Sequence, residues 1–154
     1  VDVTFTLHGA EDVQRKLAAL GDEKRVVSVT TKAARKAMNI VRDAARNNAR
    51  AIDDPASPAI IPKNIVTANS PRGGRRIGGV VMRVGVMGGA NTRSPGEGID
   101  ALPGKDTRHW RYVEFGAEKV PARPFMRPAL ENNVGRVSDA VFVELERQLA
   151  KLPI

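Results

Sequence analysis

The stretch that decides the reading of this chain is residues 112–130, "YVEFGAEKVPARPFMRPAL". Proline fixes φ at about −65° and pushes the residue before it toward extended geometry, so Pro121, Pro124 and Pro128 make this a rigid connector. Gly116 reads as a turn, because a residue without Cβ accepts positive φ. Phe125 and Met126 are the apolar anchors that would seat the connector in a core. Arg123 and Arg127 are placed to meet Glu114 or Glu118, and Pro124 keeps the backbone between them extended.

Working outward, Leu130, Val134, Val137, Val141, Leu145 and Leu149 recur at helical spacing. They predict a final helix over about 128–149, with Pro128 tolerated in its first turn. On the other side, "HWRYVEFG" places Val113 and Phe115 on one face and Trp110, Tyr112 and Glu114 on the other, the period of a strand. Before it, residues 88–107 have no periodicity and much Gly, Pro and Ser, which predicts a long loop that neighbours would order.

The first half of the chain is built on helices. "VDVTFTL" (1–7) alternates as a half-buried strand, and "AEDVQRKLAAL" carries Val13, Leu17 and Leu20 at helical spacing before Gly21. A long alanine-rich helix then runs from about 24–28 to Ala51, with Ala33, Ala37, Ile40, Val41, Ala44 and Ala45 on an apolar face. Lys32, Arg35, Lys36, Arg42, Arg46 and Arg50 fall on its other side. "IVTA" (65–68) and "IGGVVMRVGVM" (77–87) read as strands around a second mobile loop, 70–79, that holds Arg72, Arg75 and Arg76. The order of elements predicts one α+β domain over 1–154, a mostly antiparallel sheet packed by the long helix and the C-terminal helix.

Composition bounds the function. The chain has 154 residues, 42% of them hydrophobic and 27% charged, as in a folded single domain. It has no cysteine, so disulfides and thiolate metal sites are excluded. No apolar run approaches the roughly 18–20 residues of a membrane span, and no basic-then-apolar leader opens the chain, so a soluble protein of intracellular origin is expected. The net charge of +8 sits in the middle. Residues 55–96 hold Lys63, Arg72, Arg75, Arg76, Arg83 and Arg93 and no acid, whereas 97–154 carry nine cations and nine acids. Such asymmetry points to an acidic partner, either nucleic acid or an acidic protein surface.

Catalytic chemistry has little to stand on. His8 and His109 are the only histidines, "GGRRIGG" lacks the Lys-Ser/Thr of a phosphate loop, and no serine sits in a nucleophile elbow. No catalytic, metal or cofactor residues are expected. Arg42, Arg46, Arg72, Arg75, Arg76 and Arg83 are the candidate contacts to an acidic partner or DNA. A basic domain that binds nucleic acid without sequence preference is the alternative reading, with phosphate attraction alone as its warrant.

The segment 110–133, "WRYVEFGAEKVPARPFMRPALENN", resembles the C-terminal signature of the HK97 gp10-like family of tailed-phage tail-completion (neck) proteins. Tyr112, Glu114, Phe115, Gly116, Pro121, Ala122, Arg123, Pro124, Phe125, Arg127, Pro128 and Ala129 carry the likeness. The N-terminal strand, "GAEDVQRKLAALG" and the basic alanine-rich helix are also similar, while "DDPASPAIIPKN" departs from a Thr-Gly-x-Leu type of turn. The resemblance implies a virion protein of the neck, made in the host cytoplasm and not catalytic. It implies a ring of six copies around the DNA channel, between the head-completion or stopper proteins and the tail terminator of the tail tube.

Overall fold

In a computed structural model of the chain, residues 9–90 and 96–153 are described. The elements in order are α1 (Ala10–Ala19), α2 (Glu23–Ile52), α3 (Ile61–Asn64), β1 (Ile65–Asn69), α4 (Pro71–Ile77), β2 (Met82–Val86), α5 (Trp110–Phe115), α6 (Met126–Glu131) and α7 (Val134–Leu149). A single 3-10 turn covers Ile99–Ala101. The two strands pair antiparallel, from Ile65 opposite Val86 to Asn69 opposite Met82. The fold is α+β, with the long helix as its spine.

Helix α2 starts where the Asp22 side chain accepts the Lys24 amide at 2.9 Å, an N-cap that satisfies one of the free first-turn donors. Its buried residues are Val29, Ala33, Ala37, Val41, Ala45 and Ala49. They recur every fourth position, and at about 100° per residue each step of four turns the row by about 40°. Over the whole row that amounts to roughly 200°. The two ends of α2 therefore bury different faces. Val29 and Ala33 join Val13, Leu145 and Leu149 in one cluster, which unites α1, α2 and α7. Val41, Ala45 and Ala49 join Ile61, Ile65, Phe125 and Ala129 in a second, under β1 and α6. Alanine at four of the six positions keeps the ridge low, so neighbours approach the backbone closely.

Several expectations change. The strand expected at 110–115 is helix α5; six residues with alternating apolar positions fit two turns of helix as well as a strand, and length gives no arbitration. The loop expected at 70–79 is helix α4. Ser70 accepts the Gly73 amide as N-cap, Pro71 opens the helix, and Gly78 at φ 66° closes it. The strand expected over 77–87 shortens to β2. The single final helix divides into α6 and α7 at Asn132 and Asn133, where buried Asn133 donates from its side chain to Ala129 O at 2.8 Å. The expected strand at 1–7 lies outside the described residues, as do residues 91–95 of the expected loop.

Helices α2 and α7 are also tied by charge. Glu144, nearly buried, accepts Gln148 Nε2 at 2.8 Å and pairs with Lys36 Nζ at 3.0 Å. The Gln148 hydrogen bond and then Lys36 lower its carboxyl below the ordinary 4.5. A lowered folded pKa adds stability above the unfolded value, and that stability is lost as pH falls through the folded one. Glu144→Gln is therefore expected to melt below the wild type at pH 7, with the gap closing as pH drops below about 4.5. Thermal melts of both proteins across pH 3–7 check it; a gap that stays constant with pH would show that the ion pair does not contribute.

Candidate functional site

The connector of the opening motif is held by one carboxylate. Glu114, on α5 and only 3% exposed, accepts three successive backbone amides. Oε2 takes Phe125 N–H at 2.7 Å and Met126 N–H at 2.9 Å, and Oε1 takes Arg127 N–H at 2.9 Å. These are the orphan donors at the start of α6, and a negative charge there also suits the helix dipole. So Glu114 meets backbone, not Arg123 or Arg127 as expected. The Arg127 guanidinium instead lies over the Phe115 ring, 5.7 Å from its centroid.

Between the two ends of this clamp the chain makes a tight turn. Ala117 and Val120 exchange backbone hydrogen bonds at 2.9 and 3.0 Å, and Arg123 N–H reaches back to Val113 O at 2.7 Å. Gly116 sits at φ 77°, ψ 175°, a conformation essentially confined to glycine. A Cβ there would also lie 2.9 Å from both Ala122 N and Val120 O. Phe125 is fully buried, and Asn48 of α2 donates to its carbonyl at 3.2 Å. Pro124 is exposed and Pro128 half-buried in the first turns of α6. Tyr112, Phe115 and Val120 are 49%, 59% and 52% exposed, two aromatic side chains and a valine on the outside of the joint.

The six candidate arginines do not form one site. Arg72, Arg75 and Arg83 line a single open depression of about 480 Å³ with Ala68, Asn69, Ser70 and Pro71, and no acid lines it. Arg76 is exposed on the same helix, α4. Arg42 pairs with its neighbour Asp43 at 2.9 Å. Arg46 turns inward and gives Ile65 O two bonds, from Nε at 3.0 Å and Nη2 at 2.7 Å. Arg35 likewise reaches Thr67 O at 3.3 Å. The basic side of α2 is thus largely engaged inside the protein.

Sequence reasoning passed over Asn64. Fully buried at the end of α3, it donates to Lys105 O at 2.8 Å and Thr107 Oγ1 at 2.7 Å and accepts Gly104 N–H at 2.7 Å. A Cβ on Gly104 would collide with Ile60 O and the Asn64 side chain. Residues 104–107 are pinned there, and within them Asp106 is held at about 2 by hydrogen bonds from Arg108. An asparagine between a proline-lysine pair and an Ile-Val strand carries no spacing rule that would have marked it.

Among the described residues no three His, Asp or Glu side chains gather as a metal-binding group, and no helix is long and apolar enough to cross a membrane. The family model described as "Bacteriophage HK97-gp10, putative tail-component" matches residues 11–116, well over half of the 154-residue chain. The chain belongs to this family. The HK97 gp10-like match runs from α1 through α5 and ends at Gly116, so it includes Glu114 and leaves the amides that Glu114 holds just beyond it. The family is the one expected from the 112–129 motif, and its description is that of a phage tail component. No curated protein and no solved structure matches the chain significantly.

Removing the clamp should be costly. Glu114→Ala leaves three amides at a partly buried helix start without an acceptor, at about 1–3 kcal/mol for each one kept from water. Phe125→Ala empties a filled core position, at about 3–5 kcal/mol. Chemical denaturation of both variants is expected to show losses of that size, against less than about 0.5 kcal/mol for the exposed Glu118→Ala. Equal stability of Glu114→Ala and the wild type would refute the clamp.

Proposed function

We propose that this HK97 gp10-like protein is a structural subunit of the phage neck, a ring of copies, six in the simplest form, around the DNA channel. In this reading it joins the head-completion or stopper proteins to the tail terminator and tail tube, resides in the virion, and does no catalysis. The observation that carries the reading is the division of labour between two regions of a tail-component chain. The joint is closed on itself: Glu114, Phe125 and Gly116 are consumed in fixing the angle between α5 and α6. The arginines of α4 and β2 are open: Arg72, Arg75 and Arg83 share a depression without a counter-charge among its lining residues. A rigid frame that displays uncompensated cations suits a part that must hold geometry while meeting acidic neighbours or DNA.

The same depression is the specific feature that favours the alternative, a domain binding nucleic acid without sequence preference through phosphate contacts. The two readings separate by experiment. Single Arg→Ala changes at 72, 75 or 83 should each cost about 0–1 kcal/mol of association. The triple variant is expected to keep its thermal melt but to join purified heads to tails several-fold less well at low salt. That deficit should narrow as salt is raised and the screening length falls below about 8 Å. Normal joining by the triple variant at every salt concentration would show that the depression is only a solvated surface. Loss of DNA retention in a filter assay with joining intact would favour the alternative.

A further inference from the structure

Arg83 belongs to two surfaces at once. It lines the basic depression with Arg72 and Arg75, where its cross-strand partner Ala68 also lies. It also borders an apolar groove of about 380 Å³, lined by Met38 and Val41 of α2, Met82 and Val84 of β2, and Met126 and Leu130 of α6. Arg127 completes the lining of that groove, and no acid lines either surface. Methionine side chains adapt to what they meet, so the groove suits apolar side chains of more than one shape. Charge and apolar surface meet at a single side chain.

The backbone of β2 points the same way. Ser70 N–H donates to Val81 O and Met87 N–H to Asn64 O, each at 2.8 Å, and both pairs continue the register of β1 with β2. Bonded and non-bonded pairs alternate along an antiparallel ladder, so Met82, Val84 and Val86 turn their amides and carbonyls away from β1. These groups meet no hydrogen-bonding partner among the described residues. On β1 the corresponding carbonyls of Ile65 and Thr67 are taken by Arg46 and Arg35. A segment laid along β2 would alternate its side chains. Those level with Met82 and Val84 would enter the groove, and those level with Arg83 would lie on its side of the sheet.

We propose that this flank takes an extended segment of an acidic partner protein, in which apolar residues alternate with Asp or Glu, as a strand added to the edge of β2. This rests on the neck reading above, in which Arg72, Arg75 and Arg83 meet an acidic neighbour or DNA, and it commits that contact to protein. Phosphates answer arginines but put nothing apolar into a groove. A second copy of this chain carries +8 and would bring further cations to the flank. An alternating acidic segment satisfies the backbone edge, the groove and Arg83 together, and leaves Arg72 and Arg75 for acids that flank it.

The test uses the full chain with the acetylated peptides GVDVDVDG, GVKVKVKG and GSDSDSDG and with a short DNA duplex. Binding is read by titration at several salt concentrations and by residue-resolved hydrogen exchange. GVDVDVDG is expected to bind, to protect the Val84 and Val86 amides, and to weaken as salt is raised. The other two peptides should bind at least about tenfold less, since each lacks one half of the chemistry. Leu130 is 48% exposed, so Leu130→Ser should keep the melt and weaken GVDVDVDG about tenfold. Arg83→Asp should turn the preference to GVKVKVKG. No binding of GVDVDVDG, or equal binding of GSDSDSDG, would overturn the proposal. So would protection of Val84 and Val86 by the duplex, which would give the flank to nucleic acid. Protection of these amides in the free chain would overturn it too, giving the flank to the chain's own residues where it is independent of concentration and to a second copy where it rises with concentration. Head-to-tail joining separates this inference from the neck reading. Impaired joining by both Leu130→Ser and the triple arginine variant is expected. Normal joining by Leu130→Ser beside impaired joining by the triple variant overturns the groove contact alone; normal joining by both overturns the neck contact as well.

Discussion

Three backbone amides and one carboxylate set the geometry of the C-terminal half. Glu114 is carried on α5, and the amides of Phe125, Met126 and Arg127 begin α6, so the bond joins two short helices eleven to thirteen residues apart. Neither helix is long enough to be stable alone, since helices below about 12–15 residues are marginal in water. Their directions must be imposed by tertiary contacts. The carboxylate does this with charge-assisted bonds, which are stronger than neutral ones and fix orientation as well as distance. Everything beyond depends on it: Phe125 enters the core of α2, Ala129 follows one turn later, and α7 then returns along the spine.

The spine explains why the clamp is placed where it is. Because the buried row of α2 winds around the helix, its C-terminal half needs a partner on a different side from its N-terminal half. Helix α7 alone cannot supply both. The break at Asn132 and Asn133 gives α6 its own direction, so that Phe125 and Ala129 cover Val41, Ala45 and Ala49 while Leu145 and Leu149 cover Val29 and Ala33. A single straight helix over 128–149 would leave one of the two clusters open.

Much of this was legible in the residues. The apolar face of α2, the helix of residues 10–19, strand β1 and the family itself follow from periodicity and from the motif around Glu114 and Phe125. The errors share a physical origin in short elements. Trp110–Phe115 and Pro71–Ile77 span two turns or fewer, where the 2.0 and 3.6 periods cannot be told apart by counting apolar positions. For α4 the end signals were present, Ser70 and Pro71 at the start and Gly78 at the close, but the Gly73-Gly74 pair argued for a loop. Gly74 is there because a Cβ would lie 2.5 Å from Gly79 O, a tertiary reason that no propensity scale contains. The basic face of α2 was read as one surface for a similar reason: sequence shows that Arg35, Arg42 and Arg46 share a side, not that two of them reach strand carbonyls.

The placement of arginine ties the sheet to the charge distribution. The arginines of α2 and those of the acid-free run 55–96 end in different surroundings. Arg46 and Arg35 of α2 give their hydrogen bonds to outward carbonyls of β1, where the partial negative charge of the peptide group stands in for a carboxylate and the edge is closed to other strands. Arg72, Arg75 and Arg83 have no such outlet among the residues lining their depression, which lies against Ala68 and Asn69 at the end of β1. A sheet of two strands is marginal by itself, and here α2 packs against both strands.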